Sequence, residues 1–305
     1  MPNTAFFAIM SKNNGKDLRD MTTLYESAWA KVNLTLDVLG KRDDGFHDLK
    51  SVMQTVSLCD DIEIDVETGK DWCLKCDQGD IPCDERNLAW KAAKVFCEAT
   101  GKDPGGLEIR ITKRIPSQAG MGGGSSDAAA VLRALNRYYG NPMSAEELAD
   151  LGAKVGSDVP FCVVGGTCMC EGRGEILRKL PAMPPCYIVA CKPDFSVSTP
   201  TLFKAIDSVE IYEHPDNDGM ESALKSGDLE QVARYVYNVF DPVVAAEHSE
   251  VEDIKSVMRE YGALACQMTG SGSVTFAIVD EPLCAVAISG LLKNNYRDVF
   301  VCKPV

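Results

Sequence analysis

Gly120, Gly122, Gly123 and Gly124 fall within five positions, and Ser125, Ser126 and Asp127 follow at once. Ala128, Val131, Leu132 and Leu135 then recur at helical spacing, so a flexible loop feeds the start of an amphipathic helix. A helix start gathers unpaired backbone N–H groups and the positive end of the helix dipole at one spot. Glycine lets the backbone approach a phosphate closely and adopt positive φ, and Ser125 and Ser126 can cap the helix or donate to phosphate oxygens. The segment from Pro116 to Asp127 therefore reads as a phosphate-binding loop, with a Gly-rich turn and a Ser/Asp cap as the plainer alternative. It is neither of the two common phosphate loops. No Gly-Lys-Ser/Thr ends the run, and it is not a G-x-G-x-x-G followed by an acid about 20 residues on.

A chain of 305 residues, 45% hydrophobic and 25% charged, is ordinary globular material with room for two domains. Its net charge of −14 argues against a nucleic-acid or anionic-membrane surface, which needs a basic face. An anion-binding loop is compatible with that charge, because charges more than ~8 Å apart are largely screened at physiological salt. The thirteen cysteines are odd in number and scattered; Cys73 with Cys76, and Cys168 with Cys170, are too isolated for a zinc site. No secretory signal is evident, so free thiols in a reducing cytoplasm are expected. No apolar run approaches the ~20 residues of a membrane span.

Residues 1–24 are polar and aperiodic after a short apolar start and read as a disordered extension. Val32, Leu34, Leu36 and Val38 alternate with Lys31, Asn33, Thr35 and Asp37, which predicts a half-buried strand with Lys31 and Asn33 on its polar face. Further strands are expected at 49–58, 62–66 and 107–112, and a helix at 88–99 ended by Gly101. Ser144 and Glu147 form a capping box for a helix running to about Val155. Three prolines within 181–185 read as a hinge between an N-terminal domain, 25–182, and a C-terminal domain, 186–305. In the latter, strands are expected at 187–191 and 274–279, and helices at 220–226, 229–239 and 251–261. The mixed order predicts two α+β domains.

Three segments, Ala30 to Leu34, Pro116 to Asp127 and Met268 to Ser273, resemble in order the three motifs of the GHMP small-molecule kinases. Within that family, Leu39 to His47, Gly156 to Phe161 and Glu171 to Glu175 resemble the branch acting on a cytidine-diphosphate-linked methylerythritol. The likeness runs from about Ser27 to the C-terminus. It implies an N-terminal domain of the ribosomal-protein-S5-domain-2-like type, a ferredoxin-like C-terminal domain, and ATP-dependent phosphorylation of the substrate's 2-hydroxyl in a cleft between them. Mevalonate or homoserine would be the acceptor of related enzymes, and Phe46, His47 and the Gly172–Glu175 run favour the cytidyl substrate. A silent nucleotide-binding regulator is the alternative of another class, countered by the joint presence of Lys31, Asp158 and the complete loop.

Phosphoryl transfer needs positioned reactants and positive charge near the phosphoryl oxygens, and a hydroxyl nucleophile needs somewhere for its proton to go. Asp158 follows Gly156 and Ser157 and precedes Pro160. Its residues alone fit a base or a helix N-cap equally, and the resemblance makes it the base. Lys31 reads alone as a solvated strand lysine. The resemblance makes it the site lysine, which would keep Asp158 ionised and steady the developing oxyanion. Asn33 would orient the hydroxyl or Asp158. The resemblance further gives Phe46, His47 and Phe203 to the cytosine, Asn87 and Lys113 to the adenosine side, and the turn of Thr269, Gly270 and Ser271 to the loop or substrate phosphates. Pro116, Gly120, Gly122, Gly123, Gly124, Ser125 and Ser126 would hold ATP. Ser117, Gln118 and Ala119 depart from the more glycine-rich run of several relatives. No acid in the first or third motif is an evident Mg²⁺ ligand, so Mg²⁺ is expected on the ATP phosphates, near Ser125 or Ser126, with no metal residues assigned. The expected partners are small molecules, with no nucleic acid or membrane, and the expected state is a monomer or weak homodimer.

Overall fold

The computed structural model describes residues 22–305. Two strands of 20 residues, β1 (Thr22–Lys41) and β2 (His47–Val66), open it as an antiparallel pair. Their turn closes through Arg42 N–H donating to Phe46 O at 2.8 Å, and Gly45 takes φ +84°. The first half continues with β3 (Cys73–Cys76), α1 (Leu88–Thr100), β4 (Leu107–Thr112), α2 (Gly123–Tyr138), α3 (Ala145–Gly152), α4 (Val159–Val164), β5 (Thr167–Gly172) and β6 (Ile176–Lys179). The second half comprises β7 (Tyr187–Lys192), α5 (Thr199–Ile206), α6 (Asn217–Ser226), α7 (Leu229–Arg234), β8 (Tyr237–Asn238), α8 (Asp241–Glu247), α9 (Glu250–Glu260), β9 (Ala265–Met268), β10 (Thr275–Val279), α10 (Pro282–Leu292) and β11 (Asp298–Cys302).

The first sheet runs β3-β4-β2-β1-β8, with β5 pairing the first half of β2 and β6 pairing β5. Helices α1 and α2 cover it over a core that includes Ile62, Ile64, Phe96, Ile109 and Leu132. The second sheet, β11-β7-β10-β9, is antiparallel throughout. Its strands β7 and β10 are apolar almost end to end because both faces are covered. Val189, Cys191, Ala277 and Val279 face α9 and α10, while Ile188, Ala190, Phe276 and Ile278 pack on Ala30, Val32 and Leu34 of β1.

β1 thus serves both halves. Its pairing with β2 slips between Trp29 and Lys31, where Val56, Ser57 and Leu58 stand opposite Ala30 alone. Such irregularities bend a strand and re-aim its side chains. Ala28 accordingly belongs to the core under α2, and Ala30 to the core shared with the second sheet.

Several expectations need correction. The strands expected at 49–58 and 62–66 are one strand, β2. The helix expected over 229–239 stops at Arg234, and Tyr237 and Asn238 pair in parallel with Thr35 and Leu36 of β1. The aromatic and β-branched run from Tyr235 to Phe240 suits that extended pairing. Of the extension expected over 1–24, Thr22, Thr23 and Leu24 lie in β1, and the rest lies outside the described residues. In the connection 181–185, Met183 is buried in the shared core and donates its N–H to Thr167 Oγ1 at 3.2 Å, while Pro181, Ala182 and Pro185 are exposed. The Ser144 capping box is present with both hydrogen bonds, although α3 stops at Gly152. All thirteen cysteines are free thiols, and no helix among the described residues is long and apolar enough to cross a membrane.

Candidate active site

The start of α2, the polar face of β1 and the turn after β9 meet at one point. Lys31 N–H donates to Met121 O at 3.1 Å, and Asn33 N–H donates to the hydroxyl of Thr269 at 3.0 Å. That hydroxyl lies 3.3 Å from Gly120 O. The loop has positive φ at Gly120 (+76°) and Gly122 (+73°). A Cβ on Gly120 would strike the Thr269 carbonyl, and one on Gly122 would lie 3.1 Å from Lys31 Cγ. Glycine is therefore required at both by conformation and by space. Gly123 is the first residue of α2, and a Cβ there would face Ile115 at 3.2 Å and Lys113 Nζ at 3.3 Å. Among the described residues no side chain caps α2, and its first N–H groups open onto a cleft of ≈ 1080 Å³. Uncapped N–H groups and the helix dipole suit this helix start to an anion.

Lys31 is 3% exposed, and its ammonium donates to Asn33 Oδ1 at 2.6 Å and lies 3.7 Å from Asp158 Oδ2. Asn33 is fixed in turn by its amide donating to Ser51 Oγ at 2.8 Å. Asp158 occupies the N-cap position of α4 yet makes no side-chain capping bond. Its carboxylate is left facing Lys31 and the cleft, a position from which an acid can receive a proton from a hydroxyl held there. Behind the pair lies Cys162, whose thiol burial pushes up to about 12, leaving it inert.

Under the loop, Lys113 Nζ bridges Asp60 Oδ2 at 2.5 Å and Asp127 Oδ2 at 2.7 Å, all three side chains buried. Burial, followed by the charge of Asp60, pushes the Asp127 carboxyl up to about 7 against the pull of Lys113. Asp127 Oδ1 has no partner among the described residues. Asp60 Oδ1 also receives Ile115 N–H at 2.8 Å, tying the entry of the loop to β2. The triad therefore sets the height of the loop's floor.

At the far end of the cleft His47 stacks on Phe203 at 4.7 Å and 23° between planes, and Phe203 meets Phe240 edge-on at 5.0 Å. His47 Nε2 lies 2.6 Å from Asp207 Oδ1, and Lys41 Nζ donates to the same carboxylate at 2.8 Å. Lys41 and then His47 hold Asp207 below the usual carboxylate range. Phe46 is 52% exposed at the rim. A flat ring entering here finds aromatic faces and a fixed imidazole edge.

Every residue assigned from sequence lines this cleft except Ser126 and Thr269. Ser126 is fully buried and donates its hydroxyl to Trp29 O at 2.6 Å. Facing inward at the fourth position of α2, it cannot meet a phosphate as expected. Thr269 is equally buried and ties the third motif to β1 and Gly120, while Gly270 and Ser271 reach the cleft. Asn87 lines the cleft, but its side chain caps α1 through Ala89 N–H at 2.9 Å and donates to Pro82 O at 2.8 Å. Sequence reasoning missed Asp60, Asp127 as an ion partner, and Asp207. Their partners lie 53, 14 and 160 residues away in the chain, beyond any spacing rule.

Residues 87–166 match the family described as GHMP kinases N terminal domain, and residues 220–297 match GHMP kinases C terminal. A 4-diphosphocytidyl-2-C-methyl-D-erythritol kinase of Clostridium beijerinckii is 40% identical over 278 residues, covering 91% of this chain and 99% of the relative. That of Clostridium acetobutylicum is 41% identical over 280 residues, with coverage of 91% and 99%. A crystal structure of 4-(cytidine 5'-diphospho)-2C-methyl-D-erythritol kinase superposes with a TM-score of 0.77 at 31% identity, covering 92% of this chain and 99% of that one. Homoserine kinase from Cytophaga hutchinsonii, at 21% identity, TM-score 0.73 and coverage of 95% and 96%, shares the fold. With both halves of the family matched, the chain belongs to the GHMP kinases, in the group of the 4-diphosphocytidyl-2-C-methyl-D-erythritol kinases.

Proposed function

We propose that the chain transfers the γ-phosphoryl group of ATP to the 2-hydroxyl of 4-diphosphocytidyl-2-C-methyl-D-erythritol, giving the 2-phosphate and ADP, in the methylerythritol phosphate route to isoprenoid precursors. One observation carries this reading: the Asp158–Lys31 pair faces the uncapped start of α2 in a cleft whose other end is aromatic. The N–H groups of Gly123, Gly124 and Ser125 hold the donor's phosphates, with Pro116, Asn87 and Lys113 on the donor side. Phe46, His47 and Phe203 hold the cytosine, and Gly270 and Ser271 border the acceptor. As the acceptor oxygen bonds to the γ-phosphorus and the bond to the β-phosphate oxygen breaks, Asp158 takes the hydroxyl proton. Lys31, kept in place by Asn33, steadies the charge on the acceptor oxygen.

Among the described residues no three His, Cys, Asp or Glu side chains gather into a cation site. Mg²⁺ is assigned to the ATP phosphates, whose charge it would neutralise when bound. Residues of a single chain line both ends of the cleft, which favours a monomer or weak homodimer, and the free thiols favour the cytoplasm. The test is ADP release with ATP and, in turn, the cytidyl alcohol, mevalonate and homoserine. Turnover of only mevalonate or homoserine would overturn the acceptor assignment.

A further inference from the structure

The tip of the β5–β6 hairpin takes no part in the scheme above, yet it leans over the cleft. Gly172 (φ +70°) and Gly174 (φ +113°) make the turn, and the Glu175 carboxylate accepts the Arg173 N–H at 2.6 Å. A Cβ on Gly174 would lie 3.7 Å from Ser157 O and 3.8 Å from Asp158 Oδ1, so the tip abuts the segment that carries the acid. On the other side the Arg173 guanidinium lies 5.1 Å from the centre of the Phe46 ring, a cation–π distance. Arg173 therefore spans the reacting end and the aromatic end.

Four other cations along the cleft are held by acids or amides, while Lys204 on α5 lines it beside Phe203 at the aromatic end, away from the hairpin tip that abuts Asp158. Lys41 is bonded to Asp207 at 2.8 Å, Arg86 to Asp84 at 2.7 Å, Lys113 to Asp60 and Asp127, and Lys31 to Asn33. Arg173 touches a carboxylate only through Nε, 3.6 Å from Glu175 Oε1, and its side chain keeps 32% exposure. Its two terminal Nη groups have no protein partner among the described residues, and a guanidinium fork matches a phosphate better than any other side chain does. In a chain of net charge −14, a polyanionic acceptor needs such a local cation.

We propose that Arg173 is a phosphate-binding residue of the acceptor subsite, its Nη groups holding the diphosphate of a substrate whose base lies at Phe46 and whose hydroxyl lies at Asp158. This rests on the acceptor assignment above. Calorimetric binding of cytidine and of cytidine 5'-diphosphate to the wild type, Arg173→Met and Arg173→Lys tests it, with steady-state kinetics alongside. Methionine keeps the apolar stem and removes the charge; lysine keeps the charge and removes the fork. The wild type should bind the diphosphate roughly 10- to 100-fold more tightly than cytidine, as charge-assisted bonds to phosphate allow. Arg173→Met should lose that margin while binding cytidine normally, with a raised KM for the acceptor and an unchanged KM for ATP, and Arg173→Lys should recover only part.

A methionine variant that keeps the margin, or a wild type without one, overturns the role of Arg173 and leaves the acceptor assignment standing. Loss of cytidine binding in that variant also overturns it, since Arg173 would then serve only to hold Phe46. A rise confined to the KM for ATP overturns it by moving Arg173 to the donor. A wild type that binds neither cytidine nor its diphosphate overturns the acceptor assignment itself.

Discussion

Replacing Asp158 by asparagine separates its possible duties. Asparagine preserves shape and hydrogen bonding but cannot take up the acceptor proton. A positioned base is worth ~10²–10⁴ in rate, or about 3–5 kcal/mol of barrier. A helix cap would instead be worth ~1 kcal/mol of stability, but Asp158 makes no capping bond, so that loss is not expected. The remaining stability term is the ion pair. At 3.7 Å and an effective dielectric of ~20, its gross attraction is about 4 kcal/mol. Asp158 is about a third exposed and Lys31 keeps Asn33 at 2.6 Å, so the net loss should be ~1 kcal/mol or less. The expected variant therefore melts in denaturant close to the wild type and binds ATP and the cytidyl alcohol within ~3-fold by calorimetry. Its kcat at saturating substrates should fall by two to four orders of magnitude. A folded variant with kcat within ~10-fold of the wild type would refute the role of Asp158 as base.

Gly123→Val presses a branched side chain against buried Ile115 and the Lys113 ammonium; overpacking of that kind costs ~1–3 kcal/mol. It should weaken ATP binding at least ~10-fold by lifting the loop, and tight ATP binding by the folded variant would make the loop's position irrelevant. His47→Ala removes the partner of Phe203 and should raise KM for the cytidyl substrate roughly 5- to 150-fold, on ~1–3 kcal/mol for stacking on a base. The KM for ATP should stay unchanged, and a selective rise in it would assign His47 to the donor. Asp127, raised from 3.8 to about 7, holds a proton in the folded chain that the unfolded chain has released. Its contribution is present in full below the lower value and is lost as pH rises through the upper one. Denaturant unfolding across that range should show a smaller decline for Asp127→Asn than for the wild type, and an equal decline would place the cause elsewhere.

Local signals survived folding well. The alternation of Val32 and Leu34 with Lys31 and Asn33 gave β1 its two faces, although Ala30 to Val38 is buried on both and not half-buried as expected; the capping box gave α3 its start, and the glycine run marked the open start of α2. What escaped were features decided by distant chain. Nothing near Tyr237 says that it will pair with Thr35, and nothing near Ser126 says that its hydroxyl is taken by Trp29. α10 was missed because its apolar residues do not confine themselves to one stripe: Leu283 and Val286 are exposed while Ala285 and Ile288 are buried. The candidate site was legible as residue types in order, but not the acids that hold its basic groups: Asp60 and Asp127 on Lys113, and Asp207 on Lys41 and His47.

The sharing of β1 between two cores has a consequence for how such an enzyme can be remodelled. Ala30, Val32 and Leu34 rest on the second sheet, and Lys31 and Asn33 project from the alternate positions of the same short stretch. Exchanging the C-terminal half for that of another kinase would replace the bed under the lysine, so the halves are not interchangeable parts. The 42–46 turn, the 172–175 hairpin tip and α5 lie outside that bed, at the rim of the cleft. Changes of acceptor can accumulate there, residue by residue, while the backbone beneath Lys31 stays where it is.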